Sequence, residues 1–312
     1  MIKYLRYEHI DKQKWDECIS KSFNGVVYAY SWYLDVVCEE WEGLVEGDYE
    51  RVFPVNFKKK AGINIIFQPF FTQQLGVFSK TELSPTVVND FLFSIPAKYK
   101  VVDLNLNTHN KPDLPGFNYI PQVNHELDLI RDYESLQQNY SSNTRRNLKK
   151  AKTEGLTIVK GIKPDVVIDL FRANRGADIK VLKEHNYQKL KRLIYTSIYK
   201  GIGSVYGVYT NENELCAGGV FLNSNKKVIF SFSGLSDSGR DKRAMFFLID
   251  HFIREHANKH LTLDFDGSND ESLARFYKGF GSTRLEFTRI SRNTLPVYLK
   301  IPFKIYHSLK MV

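Results

Sequence analysis

Apolar and polar residues alternate from Leu261 to Asp266: Leu261, Leu263 and Phe265 fall on one side, Thr262, Asp264 and Asp266 on the other. That period of two is the mark of a strand. Gly267 and Ser268 interrupt it, and Ser268 or Asn269 is placed to cap a helix running from Glu271 through Leu273 to Tyr277. Gly279 and Gly281, either side of Phe280, are placed to end that helix with a left-handed residue. The same reading upstream gives a strand over 156–160, then a helix over 165–174 opened by Pro164, with Val166, Val167, Leu170 and Phe171 on one side. A second helix spans 187–200 and stops at Gly201. Three strands follow, 204–209, 215–222 and 228–233, joined by asparagine-rich turns suited to an antiparallel meander. A long helix over about 242–257 precedes the alternating stretch, and 284–290 supplies a last strand.

The first half echoes this order. Helices are predicted over 12–19 and 32–40, the latter capped by Ser31, and strands over 51–57 and 63–67 with a less regular 74–78. Ser84-Pro85 opens a helix to about Phe93, and 100–105 is a strand in which Asp103 is placed much as Asp264 is. No repeat appears residue by residue, so duplication rests on element order alone. The Pro- and Asn-rich stretch 110–124 marks the boundary, giving domains 1–125 and 126–312, with the last strand and tail free to pack back on the first. The fold class is α/β with a mixed sheet in each of two tandem domains.

Composition narrows the setting. A chain of 312 residues has the length of about two domains. No apolar run reaches the ~20 residues that span a bilayer, and the start of the chain lacks the apolar core of a secretion signal. Cys18, Cys38 and Cys216 are scattered without metal-like spacing and read as free thiols, so a reducing, cytoplasmic setting is expected. The formal charge of +9 favours anionic partners: nucleic acid, nucleotide phosphates or an anionic membrane face.

Two segments carry a resemblance. SSNTRRNLKKAKTEGL, residues 141–156, looks like the basic segment that opens the second domain of the Fem-type peptidyltransferases. DFDGS and FYKGFG, within 264–281, resemble the aspartate-phenylalanine strand and the phenylalanine–glycine ending of the same family. The order of elements resembles the GNAT acyltransferase fold, the acyl-CoA N-acyltransferase fold, and its duplication resembles the tandem form of the Fem type. This resemblance implies transfer of an acyl or aminoacyl group to an amine, with aminoacyl-tRNA as donor and a cell-wall precursor as acceptor. Ordinary GNAT relatives use acyl-coenzyme A, and either donor is a co-substrate rather than a permanently bound cofactor. Family members often carry lysine directly after the phenylalanine of the ending; here Tyr277 takes that place and Lys278 follows. The coiled-coil arm of some members is absent, since no long heptad run occurs.

Candidate chemistry gathers at a few places, and each has a plainer alternative. Arg145, Arg146, Lys149, Lys150 and Lys152 put five cations within eight residues of a helix, with Thr144, Leu148 and Ala151 as its apolar seam. They are candidates to hold phosphates of tRNA or of a nucleotide-linked precursor, or else form a solvated face near the negative end of the helix dipole. The loop 234–244 carries Arg240 and Arg243, but its glycines, Gly234 and Gly239, do not match a coenzyme A cradle, and it reads as a capped helix start. Asp264 is a candidate general base for the attacking amine, or a structural carboxylate bonding the turn after it; Asp266, abutting that turn, fits the structural role. Tyr277 and Lys278 are catalytic candidates through the resemblance, a cation there stabilising the oxyanion of the tetrahedral intermediate. In the first domain Gln73 and Gln74 are candidates to line a substrate cleft, expected between the domains and at the strand-end split of the second. The eight histidines form no metal-like pair, and no metal is expected. Two rival readings remain: an acyl-coenzyme A-dependent N-acetyltransferase, and a non-catalytic module binding RNA or an anionic surface.

Overall fold

The computed structural model describes residues 1–38, 40–296 and 298. The chain opens with strand β1 (Ile2–Leu5), helices α1 (Lys12–Lys21) and α2 (Ser31–Val37), and strands β2 (Glu40–Glu46), β3 (Arg51–Lys60), β4 (Ile63–Phe67) and β5 (Phe78–Ser79). Helix α3 (Pro85–Phe93), strands β6 (Tyr99–Asn105) and β7 (Asn118–Asp128), and helices α4 (Tyr133–Gln138) and α5 (Ser142–Thr153) follow. Next come β8 (Thr157–Lys160), α6 (Pro164–Ala173), α7 (Glu184–Tyr199), β9 (Gly203–Tyr209), β10 (Leu215–Ser224) and β11 (Lys227–Leu235). The series ends with α8 (Asp237–Asp241), α9 (Ala244–His256), β12 (Thr262–Asp264), α10 (Glu271–Lys278) and β13 (Thr283–Asn293).

The chain divides into two compact units. The first is Met1–Gln122 with the described residues from Glu286 onward; the second is Val123–Leu285. In the first, the strand order is β1-β2-β3-β4-β6-β13. All neighbours run antiparallel except β4 and β6, which are parallel and register Phe67 with Asp103. In the second, the order is β8-β9-β10-β11-β12-β7, again antiparallel except for the parallel pair β11 and β12, which registers Ile229 with Asp264. The two units therefore share one plan: four antiparallel strands, a parallel pair joined through a helix (α3 or α9), and a closing antiparallel strand. The closing strand comes from the far end of the chain in one unit and from its own beginning in the other.

Local chemistry sets the element ends. Asp11 caps α1 by accepting from the N–H groups of Gln13 and Lys14, and Ser84 caps α3, with Pro85 in its first turn, by accepting from Val87 N–H. Ser31 differs from its expected role. It lies inside α2 and its hydroxyl donates to Asp16 at 2.9 Å, so the helix starts one residue earlier in the chain than a Ser31 cap would put it. That helix stops at Val37, because Glu40–Glu46 is drawn into β2 against β3. Strands β1 and β2 have no clear alternation and were not legible; both are decided by pairing. The 74–78 stretch yields only a bridge from Leu75 to Leu106 and the two-residue β5. The boundary stretch holds a long strand, β7, from Asn118.

In the first unit Trp15 and Trp41 are buried edge to face at 5.0 Å, with the Trp15 indole N–H donating to the Ala29 carbonyl at 2.8 Å. In the second, one core cluster gathers Leu127, Leu148, Phe221, Leu248, Phe252 and Phe280 from β7, α5, β10, α9 and the turn after α10. Cys18, Cys38 and Cys216 are all buried free thiols. Among the described residues no helix is long and apolar enough to cross a membrane.

Candidate active site

The second unit opens where its parallel pair parts. β11 and β12 register only at Lys227 with Thr262, Val228 with Leu263, and Ile229 with Asp264. Beyond Ile229, β11 continues to Leu235 against β10 alone. β12 ends at Asp264, and the Phe265 N–H bonds the His125 carbonyl of β7 at 3.0 Å. The chain then turns through left-handed Asp266 (φ 49°) and Gly267 (φ 63°) into α10. Asp270 caps that helix, taking the place expected of Ser268 or Asn269, because its carboxylate accepts from both Ser272 and Leu273 N–H. A cavity of about 300 Å³ fills the splay. Its walls are Phe171 from α6, Phe230 and Leu235 from β11, Phe246 from α9, and Leu273 and Phe276 from α10.

Five polar residues also line this cavity and make up its polar rim: Arg175, Arg240, Arg243, Ser233 and Tyr277. Arg175 pairs with Asp270 at 3.1 Å and Arg240 with Asp237 at 2.7 Å. Arg243 has no carboxylate partner among the described residues; it donates to the Arg240 carbonyl at 2.7 Å and its Nε is buried without a partner. It is also the N-cap of the 13-residue α9 in a left-handed conformation (φ 62°, ψ 30°), which costs a non-glycine residue about 1 kcal/mol. The short α8 before it is capped by Ser236, whose hydroxyl accepts from Gly239 N–H at 3.0 Å. Gly239 has to be glycine, since a Cβ would stand 2.1 Å from the Cys216 carbonyl oxygen. A bare cation, a helix N-terminus and strained backbone thus meet at one edge of an apolar cavity, an arrangement that binds anions.

Tyr277 shares the rim. Its ring stacks on Phe265 at 4.7 Å, and burial first, then the Asp266 carboxylate, push its hydroxyl above its ordinary pKa, with Arg175 opposing. A tyrosine held this way stays protonated near neutrality and acts as a donor.

Asp264 is not at the rim. It is buried; its Oδ1 accepts from Asn124 Nδ2 at 2.9 Å and from the Asp266 N–H at 3.0 Å, and its Oδ2 lies 3.4 Å from Lys227 Nζ. Lys227 also bonds Glu126 at 2.5 Å. Burial works to lower the Lys227 pKa, but the Asp264 and Glu126 carboxylates outweigh it and hold it raised. Burial and then Asp264 raise Glu126, with Lys227 pulling back. This network pins the end of β12 to β7 and β11. Asp264 thus bonds the turn after it and does not line the cavity.

No family model and no curated protein matches the chain. Solved structures do. FemX matches over 92% of this chain and 96% of its own, with a TM-score of 0.64 and 13% identity. The C-terminal domain of a putative lysylphosphatidylglycerol synthetase from Agrobacterium fabrum matches over 91% of each chain, at 0.55 and 11%. A tandem GNAT protein from the clavulanic acid biosynthesis pathway matches over 95% of this chain and 99% of its own, at 0.50 and 11%. The fold is the Fem-like tandem GNAT fold.

Within this tandem GNAT frame, the two segments that carried the resemblance touch. The Ser141 N–H, before α5, donates to the Gly279 carbonyl at 2.9 Å, and a Cβ on Gly279 would lie 2.4 Å from Thr144 Oγ1. Gly279 itself is right-handed (φ −60°), and Gly281 (φ 80°) supplies the left-handed residue. On α5, Thr144, Leu148 and Ala151 are buried as the seam, while Arg145, Arg146, Lys149, Lys150 and Lys152 are exposed. Arg145 donates to the Tyr140 and Gln138 carbonyls at 2.9 and 3.0 Å, and Arg146 to Asn143 at 3.0 Å. None of the five forms a salt bridge among the described residues. Lys278 is exposed and does not line the cavity; its charge, after burial and Arg284, helps lower the His125 pKa. In the first unit the Gln74 amide donates to Gln73 Oε1 at 2.8 Å and its Oε1 accepts from Thr108 N–H at 3.2 Å, while the Gln73 carbonyl accepts from Asn105 at 2.9 Å. Both glutamines brace a loop. Of the sequence candidates, then, Tyr277, Arg240 and Arg243 converge on the cavity. Arg175 and the aromatic walls were missed, because isolated arginines and phenylalanines carry no local signal. Lys227 was missed because it opens β11 directly after an asparagine-rich turn and reads as surface.

Proposed function

We propose that this protein transfers an acyl group from an anionic carrier to an amine, with the donor held in the second unit's cavity. The observation that carries this is the meeting of the unpaired Arg243, the α9 N-terminus and Tyr277 at the rim of an apolar cavity, where the parallel strands part. The amine nitrogen attacks the acyl carbonyl carbon, the tetrahedral intermediate collapses, and the bond from carbon to the carrier's oxygen or sulfur breaks. Water takes the amine proton, and the Tyr277 hydroxyl donates to the oxyanion or the leaving atom. Arg243 and Arg240 hold the carrier's anion. Asp264 acts as a positioning residue that holds the turn into α10, since its oxygens are occupied. In the Fem-like version of this reading the donor is an aminoacyl-tRNA, the acceptor a cell-wall precursor, and α5 holds the phosphates; the acyl-coenzyme A version keeps the same rim.

The test is transfer of radiolabelled acyl and aminoacyl donors to amine acceptors. Tyr277→Phe is expected to lower kcat about 100-fold with little change in KM, the cost of one lost donor to an oxyanion. Equal turnover by wild type, Tyr277→Phe and Arg243→Ala would sink this assignment.

The five exposed cations of α5 favour a second reading, an RNA-binding module without catalysis. Arg146→Ala/Lys149→Ala/Lys150→Ala is expected to reduce the log–log salt slope of single-stranded RNA binding by about 0.7 per cation removed. An unchanged slope would remove α5 from the interface.

A further inference from the structure

Resting on the reading of this cavity as the donor site, we infer that the group transferred is an uncharged apolar acyl chain of about eight carbons, not an aminoacyl group. The walls decide this. Phe230, Leu235, Met245, Phe246, Leu273 and Phe276 present hydrocarbon, and no carboxylate or amide side chain lines the space. An aminoacyl donor carries an α-ammonium group that would sit beside Arg175, Arg240 and Arg243. Of the carboxylates close to that rim, Asp270 and Asp237 are already paired with Arg175 and Arg240, and Asp266 accepts from the Gly267 N–H at 2.5 Å. A desolvated ammonium facing like charges, with only the Ser233 and Tyr277 hydroxyls to accept from it, is strongly disfavoured, whereas methylenes gain from the same walls. Anionic heads suit the rim, and neutral tails suit the interior.

Size sets the length. The cavity, at about 300 Å³, is about twice the ~150 Å³ apolar cavity that takes up benzene, so it has room for about a dozen carbon-sized atoms. The carbonyl end and its carrier linkage occupy the part nearest Arg243 and Tyr277, which leaves about eight carbons for the chain. Gly239, part of the lining, is pressed against the Cys216 carbonyl, so backbone stands behind that part of the wall, and packed backbone does not yield as a long side chain does.

The experiment uses the full chain and carrier-free probes. Saturated fatty acids of two to twelve carbons are titrated by calorimetry, with 2-aminooctanoate as the isostere that adds an α-ammonium to octanoate. Affinity is expected to rise about fourfold per methylene up to about eight carbons and then fall. 2-Aminooctanoate is expected to bind at least about tenfold more weakly than octanoate. Leu273→Trp, which fills the cavity from α10, is expected to move the optimum to chains about three carbons shorter. No binding, a series flat in chain length, equal binding of 2-aminooctanoate, or an optimum unmoved by Leu273→Trp would each overturn the inference. Octanoyl and alanyl donors are then compared for transfer to an amine. Transfer of alanyl alone would overturn the chain assignment and keep the transferase; transfer of neither, with the binding series intact, would overturn the transferase and keep the chain site.

Discussion

Lys227 and Arg243 open β11 and α9 of the same unit, and they are held in opposite ways. Lys227 is flanked by Asp264 and Glu126, so its charge is answered by the protein itself. Arg243 has a buried Nε without a partner, a strained backbone and no carboxylate among the described residues. Within one fold, a satisfied buried charge is architecture, and an unsatisfied one beside a cavity is a vacancy for a ligand's charge. Sequence treats the two alike, as basic residues near turns.

That contrast can be broken directly. The largest effect is expected at Arg243→Gly. Glycine adopts φ 62° without strain, so urea denaturation should show stability unchanged or higher, while donor affinity falls about 10- to 100-fold with the lost charged hydrogen bonds. A loss of stability instead would make Arg243 architectural. Lys227→Met should do the reverse: it strands two carboxylates and costs about 2 kcal/mol in urea denaturation, less than the ~3–5 kcal/mol of a fully buried pair, because the lysine side chain keeps 22% of its exposure. The same variant should leave the affinity for the donor's anion unchanged.

A smaller effect concerns pH. Burial and the Asp264 charge raise the Glu126 pKa, so the folded protein binds this proton more tightly than the unfolded chain does. The contribution of Glu126 to stability is therefore complete below the unfolded value of about 4.3 and is lost as pH rises through the raised one. Glu126→Gln should flatten that decline in a pH series of denaturation midpoints; an equally steep decline would place its origin elsewhere. The smallest effect is expected in the first unit, where Asp103 occupies the strand position matching Asp264 and pairs in bidentate fashion with Arg289 at 2.6 Å. Both side chains there are more than a third exposed, so Asp103→Asn should cost under about 1 kcal/mol and weaken further in salt. A cost as large as that of Lys227→Met would erase the distinction between buried and exposed partners.

Much of the frame was legible along the chain because it is local. Period-two stretches such as 204–209 and 261–265, the cap at Ser84, the opening proline Pro164 and the stop at Gly201 each need only neighbouring residues. Strands β1, β2 and β7 were not, since their sequences become strands only on pairing with partners as far away as Leu263 from Leu127. The site followed the same rule. Arg240, Arg243 and Tyr277 were readable because they flank a helix start or a motif, whereas Phe171 on α6 and Arg175 just beyond its end reach the cavity through the packing of α6 on β11. Asp264 was visible as a carboxylate, but its partners Asn124 and Lys227 lie 140 and 37 residues away, so its commitment to them could not be read.

What the sequence by itself determined is the order of elements, the apolar seam and basic face of α5, and the aspartate at the end of a late strand. These depend on spacing, and spacing survives in one dimension. Only the tertiary structure decided which charges are answered and which are left open. Partial unzipping of β11 from β12 makes the cavity; the register fixes where it begins, and distant carboxylates answer Lys227 while none among the described residues answers Arg243, so that one holds the fold and the other is left open.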